Sequence, residues 1–362
     1  MRAIILVGGK ATRLLPLTDN RPKAVLPVLN TPFLEYVIRH LSRHGIKDII
    51  LAQGHLAQPI EEYLGDGSRF SVKLTYVVEE TPRGTAGALK NAEALLDSTF
   101  LVVNGDIFTD LDISAMISHH REKKAKATIV LAPVADPTSY GVIDTDASDR
   151  ITRFVEKPKG SEVTSNLINA GIYLLEPDVL AEIPPRTEVS IERETFPQLI
   201  AGREPVYAYP SSAYWIDIGT PEKYIKLNCD LLNGKCQRHG FASGKEVIIG
   251  EQSDIHPTAQ IQGPALIGNR CTIARQAKIR GPAVIGDGCT ILKDSIIENS
   301  IIWRKVRLGA RASLKNSIVA DKCCLDEGSC VEDSVLGNKV TVAAGCQLRG
   351  SKVCSGTVVK NA

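Results

Sequence analysis

The sequence predicts an α/β domain built on a mixed, mostly parallel sheet, followed by a parallel β-solenoid. Up to about residue 235, short apolar runs alternate with segments of helical periodicity, which is the pattern of a layered α/β fold. Beyond Phe241, apolar residues recur at every sixth position, and an α-helix with about 3.6 residues per turn cannot bury such a series on one face. We therefore predict two domains, residues 1–240 and 241–362.

The elements of the first domain follow from buried runs and from helix signals. A helix that Pro32 opens should bury a face that begins at Leu34, and Gly45 should end it. The predicted strands are Arg2–Val7, Ile49–Ala52, Val72–Val78, Thr99–Val103 and Thr128–Pro133. The other predicted helices are Ile60–Leu64, Ala86–Leu96 and Ile113–Lys123. Ligands of such sheets bind beyond the carboxyl ends of the strands, so the loops there are candidate sites.

The second domain is predicted from a hexapeptide repeat. Its first eight members are Ile249, Ile255, Ile261, Ile267, Ile273, Ile279, Ile285 and Ile291. The series continues with one shortened step per turn through Ile302, Leu308, Leu314, Val319, Leu325, Val331, Leu336, Val342, Leu348 and Val353. Each early turn of the solenoid therefore consists of three six-residue steps, and each later turn is one residue shorter. The solenoid should have three flat sides, and each repeat residue should point inward from one of them. Such hexapeptide repeats resemble left-handed β-helices.

Two further features of the repeat carry expectations. Pairs such as Gly268-Asn269 and Gly337-Asn338 should supply the backbone conformations of the corners. Cys271 and Cys289 are separated by three full steps of the repeat and should stack on neighbouring coils. A disulfide or a metal there is conceivable, but we favour small side chains that fill a corner.

Composition restricts the classes of function. The net charge of +2 gives no basic field for nucleic acid. No apolar run approaches the roughly 20 residues that a membrane span needs. The nine cysteines are scattered and form no CxxC pair, which argues against a secreted disulfide framework and against cysteine metal sites. We expect a cytoplasmic protein.

A glycine turn after the first strand predicts an anion site. Gly8 and Gly9 let backbone N–H groups approach an anion, and Arg13 adds a guanidinium that binds phosphate oxygens in pairs. Lys23 adds a second cation further along the chain, so the anion is expected to be a triphosphate. The segment is not a P-loop, because Lys10 is not followed by Ser or Thr in the required order.

Residues 6–28 resemble the signature of the sugar nucleotidyltransferases, the nucleoside-diphosphate-sugar pyrophosphorylases. The resemblance implies a Rossmann-like sheet and transfer of a nucleotidyl group from a nucleoside triphosphate to a sugar-1-phosphate, with release of pyrophosphate. It also implies that the nucleotide is bound by Leu6, Gly8, Gly9, Thr12, Arg13 and Lys23. The family form has glycine where this chain has Ala11, whose methyl group would strain the loop if that position needs a positive φ.

Two aspartates are candidate ligands of Mg²⁺. Asp106 follows a buried strand and a glycine, and Asp217 lies in the segment from Trp215 to Thr220. Mg²⁺ binds few protein oxygens together with substrate phosphates, which suits such isolated carboxylates. In the resembled family the matching aspartates hold the metal.

Three segments resemble the sugar-binding parts of the same family. They are Tyr140–Val142, Phe154–Pro158 and Asn169–Tyr173. The resemblance implies that the sugar phosphate is bound by Gly141, Glu156, Lys157 and Asn169. Lys157 can neutralise the phosphate, while Glu156 and Asn169 can hydrogen-bond hydroxyl groups. We read Ser190–Glu194 first as a capping box, although family members use this neighbourhood to shape the sugar pocket.

Residues 79–87 resemble the base-reading loop of the family, with Gly84 and Thr85 among the nucleotide contacts. Members that use thymidine or uridine nucleotides carry glutamine where this chain has Glu79. A carboxylate only accepts hydrogen bonds, and guanine offers two adjacent donors. We therefore favour GTP and, by resemblance to mannose-1-phosphate guanylyltransferases, mannose-1-phosphate. The alternatives are a glucose-1-phosphate thymidylyl-, uridylyl- or adenylyltransferase and a catalytically silent nucleotide-sugar-binding regulatory subunit.

The expected catalytic set is Arg13, Lys23, Asp106, Lys157 and Asp217, with Asp106 and Asp217 on Mg²⁺. A third reading makes the solenoid an acyltransferase, but its repeats offer only His256 as a base and no long inserted loop. We instead expect the solenoid to have a structural role and to form a homo-oligomer. The sequence leaves the sugar, the oligomeric state and any effector open.

Overall fold

The computed structural model describes residues 1–9, 11–54, 57–236 and 246–361. The chain divides into two compact units. The sheet unit comprises Met1–Lys10 and Leu34–Asp217, and the β-helix unit comprises Ala11–Phe33 and Ile218–Ala362. The boundary at residue 240 lies outside the described residues and stays a prediction, and so does the position of Lys10. No helix in the described part of the chain is long and apolar enough to span a membrane.

The strands before the solenoid are short and are numbered here in chain order. They are β1 (Arg2–Leu6), β2 (Pro27–Val28), β3 (Thr31–Pro32), β4 (Asp48–Gln53), β5 (Lys73–Val78), β6 (Phe100–Asn104), β7 (Ile107–Thr109), β8 (Ala127–Pro133), β9 (Gly141–Thr145), β10 (Ile151–Glu156), β11 (Leu167–Leu175), β12 (Val206–Pro210) and β13 (Trp215–Asp217). The α-helices are α1 (Phe33–Arg43), α2 (Ala57–Leu64), α3 (Gly84–Asn91), α4 (Ile113–Glu122), α5 (Phe196–Ala201) and α6 (Pro221–Leu232).

The main sheet has the order β10-β9-β11-β6-β1-β4-β5, with β8 beside β11 and β12 beside β8. Strands β6, β1, β4 and β5 run parallel, whereas β9, β10 and β11 pair antiparallel with their neighbours. The prediction of a mixed α/β sheet is confirmed. The central strand β1 is apolar on both faces and fully buried from Ala3 to Ile5, as a covered parallel strand requires.

One predicted helix is wrong in its second half. Helix α3 ends at Asn91, and a 3₁₀ turn at Glu93–Leu95 replaces the predicted continuation to Leu96. The backbone hydrogen bonds there span three residues and not the four of an α-helix. The Ala92 N–H donates to Leu89 O at 3.0 Å, and the Leu95 N–H donates to Ala92 O at 2.9 Å. The tighter turn leaves Leu96 buried just before β6 begins.

The solenoid has three parallel sheets, one on each side, as the repeat predicts. The first contains Val247–Ile249, Ala265–Ile267, Ala283–Ile285, Ile301–Ile302, Ile318–Val319, Val335–Leu336 and Lys352–Val353. The second contains Asp254–Ile255, Thr272–Ile273, Thr290–Ile291, Arg307–Leu308, Cys324–Leu325, Thr341–Val342 and Val358–Val359. The third contains Gln260–Gln262, Lys278–Arg280, Ile296–Glu298, Ser313–Lys315, Cys330–Glu332 and Gln347–Arg349.

The pairing of the coils matches the predicted shortening of the repeat. Ile267 pairs with Ile285, which lies three full steps further along the chain, whereas Ile285 pairs with Ile302, one residue short of that spacing. The repeat residues of the middle coils are fully buried, but Ile249 on the first described turn is 48% exposed because a terminal coil has a neighbour on one side only. Ile297, which the repeat analysis overlooked, belongs to the same core.

The predicted role of the corner pairs is wrong in detail. The left-handed backbone lies one residue later, at Arg270 (φ 53°) and Lys339 (φ 58°). The side chains of Asn269 and Asn338 instead accept hydrogen bonds from backbone N–H groups of the preceding coil. A Cβ on Gly268 would lie 2.5 Å from Asp287 Oδ1, so glycine is needed for the close approach of coils.

The stacked cysteines lie inside the solenoid, where we favoured them as filling residues. Cys271 Sγ donates to Gly286 O at 3.2 Å, and Cys289 Sγ donates to Trp303 O at 3.0 Å. Both thiols are free and buried in the core of the coils.

Candidate active site

Glycines surround the carboxyl ends of the central strands of the sheet unit. A Cβ on Gly54, after β4, would lie 3.1 Å from Gly8 O, and a Cβ on Gly105, after β6, would lie 2.6 Å from Leu6 O. The Gly105 N–H donates to Leu6 O at 2.9 Å, which fixes the loop after β6 against the end of β1. The predicted nucleotide residues Leu6 and Gly8 therefore lie where neighbouring backbones come close together, whereas a Cβ on the next residue, Gly9, would meet nothing within 4 Å.

The two predicted metal ligands are neighbours in this unit. Asp217 ends β13, and β13 pairs antiparallel with β7 so that Asp217 lies opposite Ile107, the residue after Asp106. Asp217 is 6% exposed and accepts a 2.6 Å hydrogen bond from the Tyr140 hydroxyl, whereas Asp106 is half-buried. Within the described ranges no three or more His, Cys, Asp or Glu side chains are grouped so that they could hold a metal ion, and the assignment of Asp106 and Asp217 to Mg²⁺ stays a prediction.

The sugar-phosphate residues Gly141, Glu156 and Lys157 also lie together. Gly141 pairs with Glu156 across β9 and β10, and a Cβ at Gly141 would come within 2.9 Å of Glu156 Oε2. Glycine is therefore needed at this position for packing, and a contact of Gly141 with the sugar phosphate stays a prediction. Lys157 is exposed, has a φ of 53°, and donates its backbone N–H to Tyr140 O at 2.9 Å. The left-handed backbone and the bond to Tyr140 O fix the main chain at Lys157 beside the start of β9.

A network of hydrogen bonds around Glu192 connects Thr85 with the predicted sugar-phosphate residue Asn169. Glu192 Oε2 accepts from the hydroxyls of Thr85 at 2.7 Å and Ser190 at 2.8 Å, and Oε1 accepts from the Tyr173 hydroxyl at 3.3 Å. Asn169 donates to the same Tyr173 oxygen at 2.9 Å. The Thr85 hydroxyl, predicted on the nucleotide side, is thus bonded to the residues that accompany Asn169.

The pKa shifts in this network suit an uncharged part of a ligand next to Glu156 and Tyr173. Burial raises the pKa of Glu156, and the nearby Glu192 carboxylate raises it further, while Lys157 opposes the shift. Burial also raises the pKa of Tyr173 well above its usual value, so its hydroxyl stays protonated and available as a donor. Two carboxyl groups with buried hydroxyls suit the recognition of sugar hydroxyl groups.

Sequence reasoning missed Glu192, Tyr140 and Tyr173 as site residues. The capping box in which Glu192 lies is confirmed, since Ser190 Oγ accepts from the Arg193 N–H and Glu194 accepts from the Ser190 N–H. The bond between Thr85 and Glu192 spans 107 residues, and the bond between Tyr140 and Asp217 spans 77. Only the position of Tyr140 next to Gly141 carried a local signal.

The loop of residues 79–87, which resembles the base-reading loop of the family, begins where β5 ends. The Glu79 N–H donates to Gln53 O at 2.8 Å, which holds the start of the loop on the neighbouring strand β4. Within the described part of the chain, Glu79 Oε1 is buried and has no hydrogen-bond partner, whereas Glu80 is exposed. Burial raises the pKa of Glu79, and Arg83 opposes that shift. The two adjacent glutamates are therefore not equivalent, and Glu79 alone has a buried acceptor to be satisfied.

Gly84 is required where α3 starts. Its φ is 70°, and a Cβ there would lie 2.4 Å from Val189 O. The same carbonyl accepts the N–H of Ala86 at 3.0 Å, so the first turn of α3 is fastened to the segment before the π-helix Ile191–Thr195. Gly84 thereby connects the base-reading loop to the Glu192 network.

The remaining predicted nucleotide residues lie in the β-helix unit. Thr12 and Arg13 are exposed on the 3₁₀ turn Thr12–Leu14, and Lys23 is half-buried at the start of the 3₁₀ turn Lys23–Val25. Ala11 has φ 48° and ψ 40°, the left-handed conformation that glycine adopts without strain. Its carbonyl accepts from the Leu14 N–H and from the Thr18 hydroxyl, each at 3.0 Å. The strain anticipated for this departure from the family form is therefore present.

Replacement of Ala11 by glycine is expected to raise the free energy of unfolding by about 1 kcal/mol. The left-handed conformation costs an alanine about 1–2 kcal/mol, and the greater freedom of glycine in the unfolded chain offsets part of that gain. Chemical denaturation of both proteins measures the difference. Ala24→Gly is the matched control, because Ala24 is not among the residues with positive φ and should lose stability on the same change. A destabilised Ala11→Gly variant would contradict the assigned backbone.

The sheet unit and the three-sided solenoid have the architecture of a nucleotidyltransferase that carries a hexapeptide-repeat domain. A family model described as nucleotidyl transferase matches residues 2–234. The chain belongs to this family, as its signature predicted. A second model, the LbH domain of the EIF2B epsilon subunit, matches residues 244–348 and identifies the solenoid as a left-handed β-helix.

Known relatives differ in the nucleotide that they use. The mannose-1-phosphate guanylyltransferase of Mycobacterium tuberculosis is 36% identical over 73% of this chain and 74% of its own length. The UTP–glucose-1-phosphate uridylyltransferase of Synechocystis is 35% identical over 88% of this chain and 87% of its own. Among solved structures, HddC from Yersinia pseudotuberculosis in complex with GMP-PN is 30% identical, with a TM-score of 0.55 over 63% of this chain and 97% of that one. Similarity alone does not choose the base.

Proposed function

We propose that this chain transfers a guanylyl group from GTP to mannose-1-phosphate and releases pyrophosphate. Membership of the nucleotidyl transferase family supports the reaction class. The observation that carries the choice of base is the buried Glu79 Oε1, which has no hydrogen-bond partner among the residues that the structure describes. A buried acceptor without a bond costs about 1–3 kcal/mol, so a ligand that donates to it is favoured.

Guanine satisfies the Glu79 carboxylate better than a pyrimidine does. Its N1–H and exocyclic amine are adjacent donors, and a carboxylate accepts from both. Thymine or uracil would direct a carbonyl oxygen at the same carboxylate. Bonds to a charged acceptor contribute roughly 1.5–3 kcal/mol, enough to discriminate by one to two orders of magnitude. The guanylyltransferase from M. tuberculosis and the GMP-PN complex of HddC accord with this choice.

The proposed reaction is an in-line displacement at the α-phosphorus of GTP. An oxygen of the sugar phosphate attacks, the bond to the β-phosphate oxygen breaks, and pyrophosphate leaves. The sugar phosphate is already ionised, so no general base is required. Lys157 positions the attacking phosphate, while Arg13 and Lys23 bind the triphosphate, and catalysis is mostly positioning and charge stabilisation.

The donor set of Asp106 and Asp217 fits Mg²⁺, which takes oxygen ligands and commonly only one or two carboxylates. When bound, the ion supplies positive charge for phosphate oxygens that gain charge during the displacement. Tyr140 orients Asp217 through its 2.6 Å hydrogen bond to Oδ1.

A panel of nucleotides tests the proposal. GTP, UTP, dTTP, ATP and CTP are each combined with mannose-1-phosphate and with glucose-1-phosphate, and pyrophosphate release gives kcat/KM for every pair. GTP with mannose-1-phosphate is expected to be the best pair. Fastest turnover with UTP or dTTP would refute the role of Glu79. No release with any pair, together with tight nucleotide-sugar binding, would support the regulatory subunit instead.

Two further expectations accompany the proposal. A homo-oligomer is expected through the β-helix, and light scattering that gives the mass of one 39.2 kDa chain would contradict it. A cytoplasmic location is expected because the nine cysteines show no pattern of a secreted disulfide framework.

A further inference from the structure

Residues 11–33, which carry the signature, lie along one edge of the β-helix within their unit. Asn30 Nδ2 donates to Ile285 O at 2.9 Å. The Arg21 guanidinium lies 4.8 Å from the centre of the Trp303 ring, one coil further on. Pro16 lies two coils beyond, where a Cβ at Gly337 would come within 3.1 Å of it. The segment thus contacts successive coils in order as it runs backward from residue 30 to residue 16.

The centre of this contact is a partly buried ion pair. Arg21 Nη2 lies 2.6 Å from Asp321 Oδ2, and the two side chains are 21% and 13% exposed. Burial alone would raise the pKa of the Asp321 carboxyl, but Arg21 and Arg304 hold it below its usual range. Trp303 Nε1 donates to the Tyr224 hydroxyl at 3.1 Å, and that hydroxyl in turn donates to Pro27 O. Trp303 therefore contacts the chain before the Lys23 turn directly, through Arg21, and the chain after it indirectly, through Tyr224 and Pro27.

The repeat itself shows that Trp303 departs from its column. The equivalent positions on other coils carry small residues, namely Gly250, Gly268, Gly286, Ala320 and Gly337. Trp303 is nevertheless only 2% exposed, with the Arg21 guanidinium over its ring and the Tyr224 hydroxyl hydrogen-bonded to its Nε1. A large aromatic residue at this point of the coil is explained by the segment that it contacts and not by the packing of the coils.

Asp321 likewise does more than its column requires. Equivalent Asn269 and Asn338 accept a backbone N–H from the preceding coil, and Asp321 Oδ1 does the same for Arg304 at 2.9 Å. Asparagine is sufficient for that bond. The charged Oδ2 is used for Arg21, and for Arg304 Nη2 at 3.2 Å.

We propose that Arg21, Trp303 and Asp321 are positioning residues that hold the segment bearing Thr12, Arg13 and Lys23 in its triphosphate-binding conformation. The inference rests on the proposed function for its catalytic consequence. Lys23 is two residues from Arg21, so holding Arg21 restricts the backbone at Lys23. The hydrogen bond from the Thr18 hydroxyl to Ala11 O links the same segment to the turn that bears Arg13. The coils of the β-helix then support nucleotide binding indirectly, because they position the segment that carries the predicted nucleotide residues.

Asp321→Asn in the full chain tests this inference, because it keeps the bond to the Arg304 N–H and removes the partner charge of Arg21. The KM for GTP is expected to rise about tenfold, while the KM for mannose-1-phosphate stays within about twofold. Arg21→Lys, which keeps the charge but loses the planar fork, should give an intermediate rise. Glu327→Gln is the matched control, since it removes an exposed ion pair with Arg311 on the same solenoid.

Hydrogen exchange of the substrate-free chain gives a readout that does not depend on activity. Amides of residues 14–26 are expected to exchange faster in Asp321→Asn and not in Glu327→Gln. Unchanged exchange would show that the pair does not hold the segment, and faster exchange with an unchanged KM for GTP would reduce the pair to a structural role. If the unaltered chain transfers no nucleotide, the proposed function fails, while exchange still decides whether the segment is held. Should Asp321→Asn not fold, the same two measurements on Arg21→Lys decide the question.

Discussion

Asp106→Asn is expected to lower kcat by about 10³-fold, because it removes one of the two carboxylates proposed to hold Mg²⁺. A loss of this size corresponds to about 4 kcal/mol of transition-state stabilisation. Asp106 is half-buried at a loop, so the neutral amide should leave the melting temperature within a few degrees of the original. Pyrophosphate release and thermal unfolding of the same preparation measure the two effects.

Asp112→Asn is the matched control for this prediction. Asp112 caps helix α4, its Oδ1 accepts from the Ala115 N–H at 3.0 Å, and asparagine caps a helix about as well. The control loses the same charge a few residues along the chain and should keep its kcat. Near-normal turnover by Asp106→Asn would remove Asp106 from the mechanism, and equal losses in both variants would point to net charge as the cause.

Much of the fold follows from periodicity, because burial imposes a fixed spacing on each element. The apolar run at β1 and the hexapeptide steps of the solenoid each allow one interpretation, and both are confirmed. The limits of helix α3 were less accessible, since the change to 3₁₀ bonds at Ala92 leaves the apolar spacing intact. The corners were misassigned by one residue because Arg270 and Lys339 are not residues that favour positive φ.

Contacts between distant parts of the chain were the least accessible to sequence reasoning. Arg21 and Asp321 are 300 residues apart in the sequence, so no local sequence pattern predicts their ion pair. Its one trace is a tryptophan in a column of small residues, which is visible only once the repeat is aligned. The Glu192 network was hidden for a related reason, because the capping box already accounted for that segment. Motifs of adjacent residues were therefore found, whereas partners brought together by the sheet were not.

Glu79→Gln is expected to reduce the preference for GTP over UTP and dTTP by about 10- to 100-fold in kcat/KM. The amide replaces a charged acceptor by a neutral one and offers a donor to a pyrimidine carbonyl, so the two nucleotide classes shift in opposite directions. The preference is measured by pyrophosphate release with each nucleotide at saturating mannose-1-phosphate.

The thermal stability of Glu79→Gln independently checks whether the ionised Glu79 carboxylate destabilises the folded protein. Burial raises the folded-state pKa of Glu79, so above that pKa its ionised carboxylate destabilises the folded protein, and a neutral amide removes the cost. The melting temperature at pH 8 should therefore stay equal or rise in Glu79→Gln. The exposed Glu80→Gln should change neither preference nor stability. If both variants lost GTP preference equally, the loop charge as a whole, and not the buried acceptor of Glu79, would select the base.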